Sequence, residues 1–308
     1  MKAQGTDQNM RKAKSSIQRS ENWAGILFAL PTILGFTIFA LGPMVASLIM
    51  SFSNYSVSSS FKLLGLANYR KMFSGQDPYF YKSLGVTLYY VAFSVPASVV
   101  FSFVIALLMN QKIRFKALFR TIYYLPSIVP VVAMSAVWVW ILNPDLGLAN
   151  TILKSLGLPT SAWLFAEGSV IPTMVGIDLW TIGSTMVIFL AALQDIPAHM
   201  YEAVEIDGGG AFARLIHITI PLMTPAIFFN LIIGFINGFQ AFTKAYVMTG
   251  GGPHNASLFF ILYLYREGFV FSRLGSACAI AWVLFLIIGL LSAVFFKTSK
   301  KWVYYGGE

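Results

Sequence analysis

Six long apolar runs decide what this chain can fold into. They cover 24–50, 84–109, 121–142, 169–193, 222–243 and 274–296. Each approaches or exceeds the roughly 20 apolar residues with which a helix crosses a bilayer core. In hydrocarbon, only helices and closed barrels satisfy every backbone N–H and C=O. Runs this long and continuous read as helices. Prolines 31, 43, 96, 126 and 130 fall within them. They would break a helix in water, but neighbouring membrane helices can satisfy the freed carbonyls. The expected fold is an all-α integral membrane domain of six spans over 23–297. A flexible polar arm, 1–22, precedes it and a tail, 298–308, follows.

Composition agrees. Only 11% of the 308 residues are charged and 57% are hydrophobic, whereas a soluble domain carries about 25% charged residues. The first run is too long for a signal-peptide core of about 7–15 residues, so it reads as an uncleaved first helix. The net charge of +9 does not point to nucleic acid. The basic residues lie between spans, as membrane topology demands, and form no patch interleaved with aromatics. The single cysteine, Cys278, excludes an intrachain disulfide.

With the N-terminus inside, the arm, the 110–120 loop, the 194–221 loop and the tail hold thirteen Lys and Arg, and the opposite side eight. That is the bias of the positive-inside rule. The 194–221 loop breaks it, with Asp195, Glu202, Glu205 and Asp207 against Arg214. An acidic loop on a basic side suits a basic partner surface. Asp195 and Pro197 can start a short helix there, Met200 to Asp207 continue it, and Gly208-Gly209-Gly210 end it. The competing reading is a helix lying on lipid, which acids beside an anionic leaflet oppose.

Enzyme chemistry finds no foothold. His199, His217 and His254 lack metal-ligand spacing, and no nucleophile elbow, zinc-protease motif or cysteine cluster occurs. No phosphate-binding G-x-x-x-x-G-K-[ST] occurs either, so the chain is not itself an ATPase. Neither catalytic nor metal-ligating residues are expected.

The loop resembles the signature of membrane subunits of binding-protein-dependent ABC importers. That pattern is E-A-A, three residues, G, nine residues, I-x-L-P. Here it stands as Glu202-Ala203-Val204, Gly208 and Ile218-Thr219-Ile220-Pro221. Val204 and Ile220 are conservative departures, and Asp207 fits the carbohydrate-importer version. GLANYRKMF (65–73), FRTIYYLPSIVP (119–130), LQDIP (193–197) and MTGGGP (248–253) each look like their counterparts in sugar-importer permeases, of the maltose and multiple-sugar type. The resemblance thus covers nearly the whole chain.

It implies a type I importer permease in a bacterial or archaeal cell membrane, with both termini cytoplasmic. It implies a second permease, usually in a heterodimer, a cytoplasmic ATPase dimer that carries ATP and Mg, and an extracytoplasmic solute-binding protein. No cofactor is expected on this chain itself. Glu202, Ala203, Asp207, Gly208 and Pro221 become the candidate coupling residues. The external segments 51–83 and 244–273 would face the binding protein.

The solute path is less distinct. Asp178 lies about 13 Å along the fourth span at 1.5 Å per residue, followed by Trp180. Asn230, Asn237 and Gln240 share roughly one face of the fifth, with Lys244 at its outer end. Asn, Gln and Asp can bond sugar hydroxyls, and an aromatic face can cover a pyranose ring. The same groups can instead join helices, which Gly234 and Gly238, one turn apart, would favour. Asp178 equally suits a buried ion pair, with no partner evident. As the clearest ionisable group within a span, it is also where an ion-coupled secondary carrier would place its coupling site.

Overall fold

The computed structural model describes residues 23–56 and 61–304. The 1–22 arm and the last four residues of the 298–308 tail lie outside them. Apart from isolated bridge residues between 53 and 63, Ser53 with Leu63 among them, regular structure among the described residues is helical.

The first helix, α1, runs Trp23–Ser51. It packs along the last helix of the chain and exposes apolar side chains on most sides, with Phe28 86% and Phe39 82% exposed. A π turn at Thr37–Leu41 precedes Pro43, where the proline lacks an N–H for the regular ladder. Next comes α2, Ala67–Phe73, within the GLANYRKMF segment. Asn68 donates from Nδ2 to the carbonyls of Ser51 and Ser53, both at 2.9 Å, and the Tyr69 hydroxyl donates to Ser51 Oγ at 2.8 Å. This motif therefore satisfies backbone carbonyls at the end of α1.

The central helix is α3, Pro78–Asn110, of 33 residues. Asp77 caps it, accepting from the amides of Tyr79 at 3.0 Å and Phe80 at 3.3 Å. At 1.5 Å per residue it is about 50 Å long, more than the bilayer core of about 30 Å. Helices α4, Lys116–Ile128, and α5, Val131–Ile141, follow. The sequence reading placed one span at 121–142, but the two helices meet at 98°. Pro130 is the physical cause. It forces the preceding residue out of helical geometry, and Val129 is extended, with ψ 130°.

After α6, Leu148–Ser155, a second pair replaces the expected span 169–193. It comprises α7, Val170–Trp180, and α8, Gly183–Gln194, bent by 48°. Gly183 stands at the bend. A Cβ there would lie 2.3 Å from the Tyr123 carbonyl oxygen, so α8 sits directly on the α4 backbone.

The short α9, Ala198–Ile206, leads to α10, Ala211–Phe239. The expected fifth span began after Pro221, but helix already starts at Ala211. A π turn at Leu215–Thr219 carries the chain into Pro221 without a break. Then come α11, Phe242–Met248, α12, Phe260–Tyr265, and α13, Leu274–Ser299. Four helices, α1, α3, α10 and α13, are individually long and apolar enough to cross a membrane. The count reaches six if each bent pair is one span.

α3 organises the bundle, packing against α7, α8, α10 and α12. Two apolar clusters result. One surrounds Phe80, Tyr90, Phe259, Phe260 and Tyr263 near the α3 N-terminus. The other surrounds Val99, Met109, Phe189 and Met223 toward its C-terminus. The Gly-rich MTGGGP turn after α11 is tied down. Arg266 donates to the Gly250 carbonyl and, at 3.2 Å, to Asn255 Oδ1. Thr249 and Ser257 hydroxyls meet at 2.7 Å.

Candidate functional site

Between the two apolar clusters lies a cavity of about 320 Å³, walled by α3, the α7–α8 bend and the α10–α11 break. Tyr90, Ser94 and Ser98 point into it from α3, spaced four residues apart on one face. Asp178, Thr181 and Thr185 line it from the bent pair. Asn230, Asn237 and Lys244 line it from α10 and α11.

The sequence left Asp178 without a partner. In the structure its Oδ1 is ion-paired with Lys244 Nζ. Its Oδ2 accepts hydrogen bonds from the Tyr90 and Ser94 hydroxyls, each at 2.6 Å. Lys244 also donates to Tyr90 Oη at 3.4 Å and lies 5.8 Å from that ring's centroid. Both side chains of the pair are nearly buried, at 12% and 13% exposure. A lone charge at that depth would be heavily penalised, and the opposite charge with two hydroxyl donors offsets the desolvation.

Asn230 is buried and returns its Nδ2 to the Ala226 carbonyl at 2.8 Å. Asn237 lines the cavity and is exposed. Gln240 and Trp180 are not among the lining groups. Gln240 caps α10 at its C-terminal end, and Trp180 packs edge-on against Trp138 at 5.5 Å. Gly234 and Gly238 bring α10 against α3. A Cβ on either would come within 2.7 Å or 3.0 Å of Val95 or Val91 side-chain carbons respectively. The face of α10 thus serves both packing and lining. Sequence reasoning passed over Tyr90, Ser94 and Ser98, although their spacing marks a polar stripe in an apolar helix.

The second candidate region is the acidic loop at the other end of α3. α9 buries no residue, and Glu202, Ala203 and Asp207 are exposed. Its start differs from the expectation. Asp195 closes α8 and makes no cap for α9, whose N-cap position is Pro197. Its end follows the expectation closely. The amides of Gly208 and Gly209 donate to the Glu205 and Val204 carbonyls at 3.0 and 2.8 Å, a Schellman closure. Gly208 has φ +79°, in the region glycine adopts without strain. Glu205 pairs with Arg214, and Glu202 makes no ion pair with the described residues. The loop is anchored beneath by Tyr201, whose hydroxyl lies 3.3 Å from Thr219 Oγ1. Pro221 lies inside α10, close behind that anchor. Ile206 and Phe212, 86% and 74% exposed, flank the turn.

Residues 98–301 match the family model "Binding-protein-dependent transport system inner membrane component". The chain is 39% identical to the probable ABC transporter permease protein YesP of Bacillus subtilis, over 96% of both chains. It is 30% identical to the arabinooligosaccharides transport system permease protein AraP of the same organism, over 91% of this chain and 90% of the relative. In fold it is similar to a chain of a bacterial alginate ABC transporter, crystallised in complex with an alginate pentasaccharide-bound periplasmic protein. The TM-score is 0.82 at 23% identity, covering 95% of this chain and 99% of that one.

Proposed function

The chain belongs to the family of binding-protein-dependent transport system inner membrane components, and from that premise we propose how it works as the permease component of an ABC importer. Its solute is a sugar or oligosaccharide. The arabinooligosaccharide permease relative and the hydroxyl and amide lining of the cavity support that reading. Six spans cross the membrane, counting α4–α5 and α7–α8 as one each, with both termini in the cytoplasm. A second permease, in a heterodimer, completes the pathway. An extracytoplasmic binding protein delivers the solute, and a separate cytoplasmic ATPase dimer supplies the energy.

The observation that carries the coupling role is the exposed α9 turn, with Glu202 unpaired among the described residues and its geometry fixed by Gly208. A short rigid helix on a glycine turn can seat in a groove of the ATPase and move with it. Closure of the ATPase dimer pulls α9 and the turn, and α10 passes that motion to the cavity it lines. Glu202, Ala203, Asp207 and Gly208 form the docking element, and Pro221 lies where the motion enters α10. The solute meets Asn237 and the hydroxyls of α3 and α8.

A secondary carrier is disfavoured by the same geometry. Its coupling acid must be free to bind an ion, and Asp178 is already neutralised by Lys244. Energy source tests the difference. Uptake by this system should be blocked by vanadate and persist when an uncoupler collapses the proton gradient. Uptake abolished by uncoupler and indifferent to vanadate contradicts the importer.

A further inference from the structure

We infer that the Asp178–Lys244 ion pair is a latch that shuts the outer end of the cavity and must separate for solute to enter. This rests on the importer reading above and on its orientation of the chain.

Three elements agree on where the pair sits. Along α3, the lining residues run from Tyr90 and Ser94 to Ser98 and Val99. Along the bent pair they run from Asp178 to Thr185, and along α10 and α11 from Lys244 back to Asn230. Each series, read from the outer end inward, starts with a member of one cluster: Tyr90, Asp178 or Lys244. The two charges therefore close the same end of the cavity, and the amide of Asn230 and hydroxyl of Thr185 lie at the other.

Both charged residues also sit beside breaks. Asp178 lies in the last turn of α7, just before the 48° bend, and Lys244 in the first turn of α11, just after the Gln240–Ala241 break. α8 and α10 pack on each other below these breaks, and α11 packs instead on α5. α7 itself packs on the unbroken α3, so the ion pair is the polar tie between α11 and the α3–α7 face. Tyr90 and Ser94 hold the carboxylate from the third side. When α11 parts from the α3–α7 face, Asp178 and Lys244 each exchange their partner for solvent. The hydroxyls of an entering sugar can replace it, since they both donate and accept.

Removing one charge should destabilise the shut state, because the survivor is left buried and unpaired. The outward-open state, where both groups are solvated, then gains population. The test uses the complex assembled around the full chain, purified with its ATPase and reconstituted in lipid. Lys244→Gln and Asp178→Asn should raise ATP hydrolysis without the binding protein by about tenfold, the effect of roughly 1.4 kcal/mol of population shift. The exchange Asp178→Lys with Lys244→Asp should bring it back toward the wild-type rate. In a Cys278→Ala background, Asp178→Cys with Lys244→Cys should be bridged by a short reducible bis-methanethiosulfonate reagent. The cross-link should stop binding-protein-stimulated hydrolysis, and reductant should restore it. Unchanged basal hydrolysis in both single variants, or a cross-linked complex that still responds to the binding protein, overturns the latch. A wild-type complex that shows no stimulation by its binding protein instead overturns the importer reading beneath it.

Discussion

Glu205 and Arg214 are ion-paired across the glycine turn that separates α9 from α10, and Glu202, one turn earlier, has no such partner among the described residues. The two glutamates of the signature loop therefore have different tasks. One closes the turn on itself, and the other faces outward.

Substitution of each should separate them. Glu202→Lys is expected to abolish recovery of the ATPase with the tagged permease, with permease yield unchanged. Glu205→Gln loses only a pair that is 36% and 56% exposed on its two sides. Such pairs contribute about 0–1 kcal/mol, so ATPase recovery should fall by less than about fivefold. Quantitative co-purification of the two variants checks both expectations.

Gly208 has φ +79° with nothing crowding its Cβ position, so the strain of a substitution there is purely backbone. Gly208→Ala should cost about 1–2 kcal/mol in the turn and lower ATP-driven uptake. The thermal midpoint of the bundle should hold, because α9 buries no residue. Gly209→Ala would bring Cβ within 2.9 Å of the Val204 carbonyl oxygen, and should disturb the same turn. Uptake and thermal unfolding of the two variants provide the check.

Gly234→Ala should destabilise the contact of α10 with α3, because its Cβ would meet Val95 Cγ1 at 2.7 Å. Overpacking of this kind costs about 1–3 kcal/mol. Val95→Ala in the same chain should recover much of the loss, a coupling that a double-mutant cycle of thermal stability reads directly.

Asn237→Ala should reduce solute uptake with assembly intact, whereas Gln240→Ala should leave both near wild type. Asn237 lines the cavity and Gln240 does not. Uptake assays on complexes of matched ATPase content distinguish them. A larger effect at Gln240 contradicts the placement of the pathway.

Much of this was legible in the sequence, and the exceptions have a common cause. Apolar runs located the helices because lipid leaves few alternatives, and local spacing located the Gly208 turn because a Schellman closure involves neighbours in the chain. The bends were less legible. Pro126 lies within α4 and Pro130 ends up at a 98° corner, and composition does not tell a tolerated proline from a breaking one. Pro221 read as a helix start because proline suits that position, whereas the π turn before it let the helix begin at Ala211. The partner of Asp178 was least legible of all. Lys244 lies on a different element, past the break between α10 and α11, and no local spacing relates it to Asp178. Trp180 and Gln240 were selected by residue type; neither lines the cavity, and Trp180 packs on Trp138 instead.

The central claim is that this chain is a permease driven through its acidic loop by a separate ATPase. Purification of the tagged chain in mild detergent, with mass spectrometry of everything recovered, tests it most directly. The account predicts a second permease and an ATPase with the wild-type chain, and loss of the ATPase with Glu202→Lys. Recovery of this chain alone, with proton-driven transport after reconstitution, would contradict it.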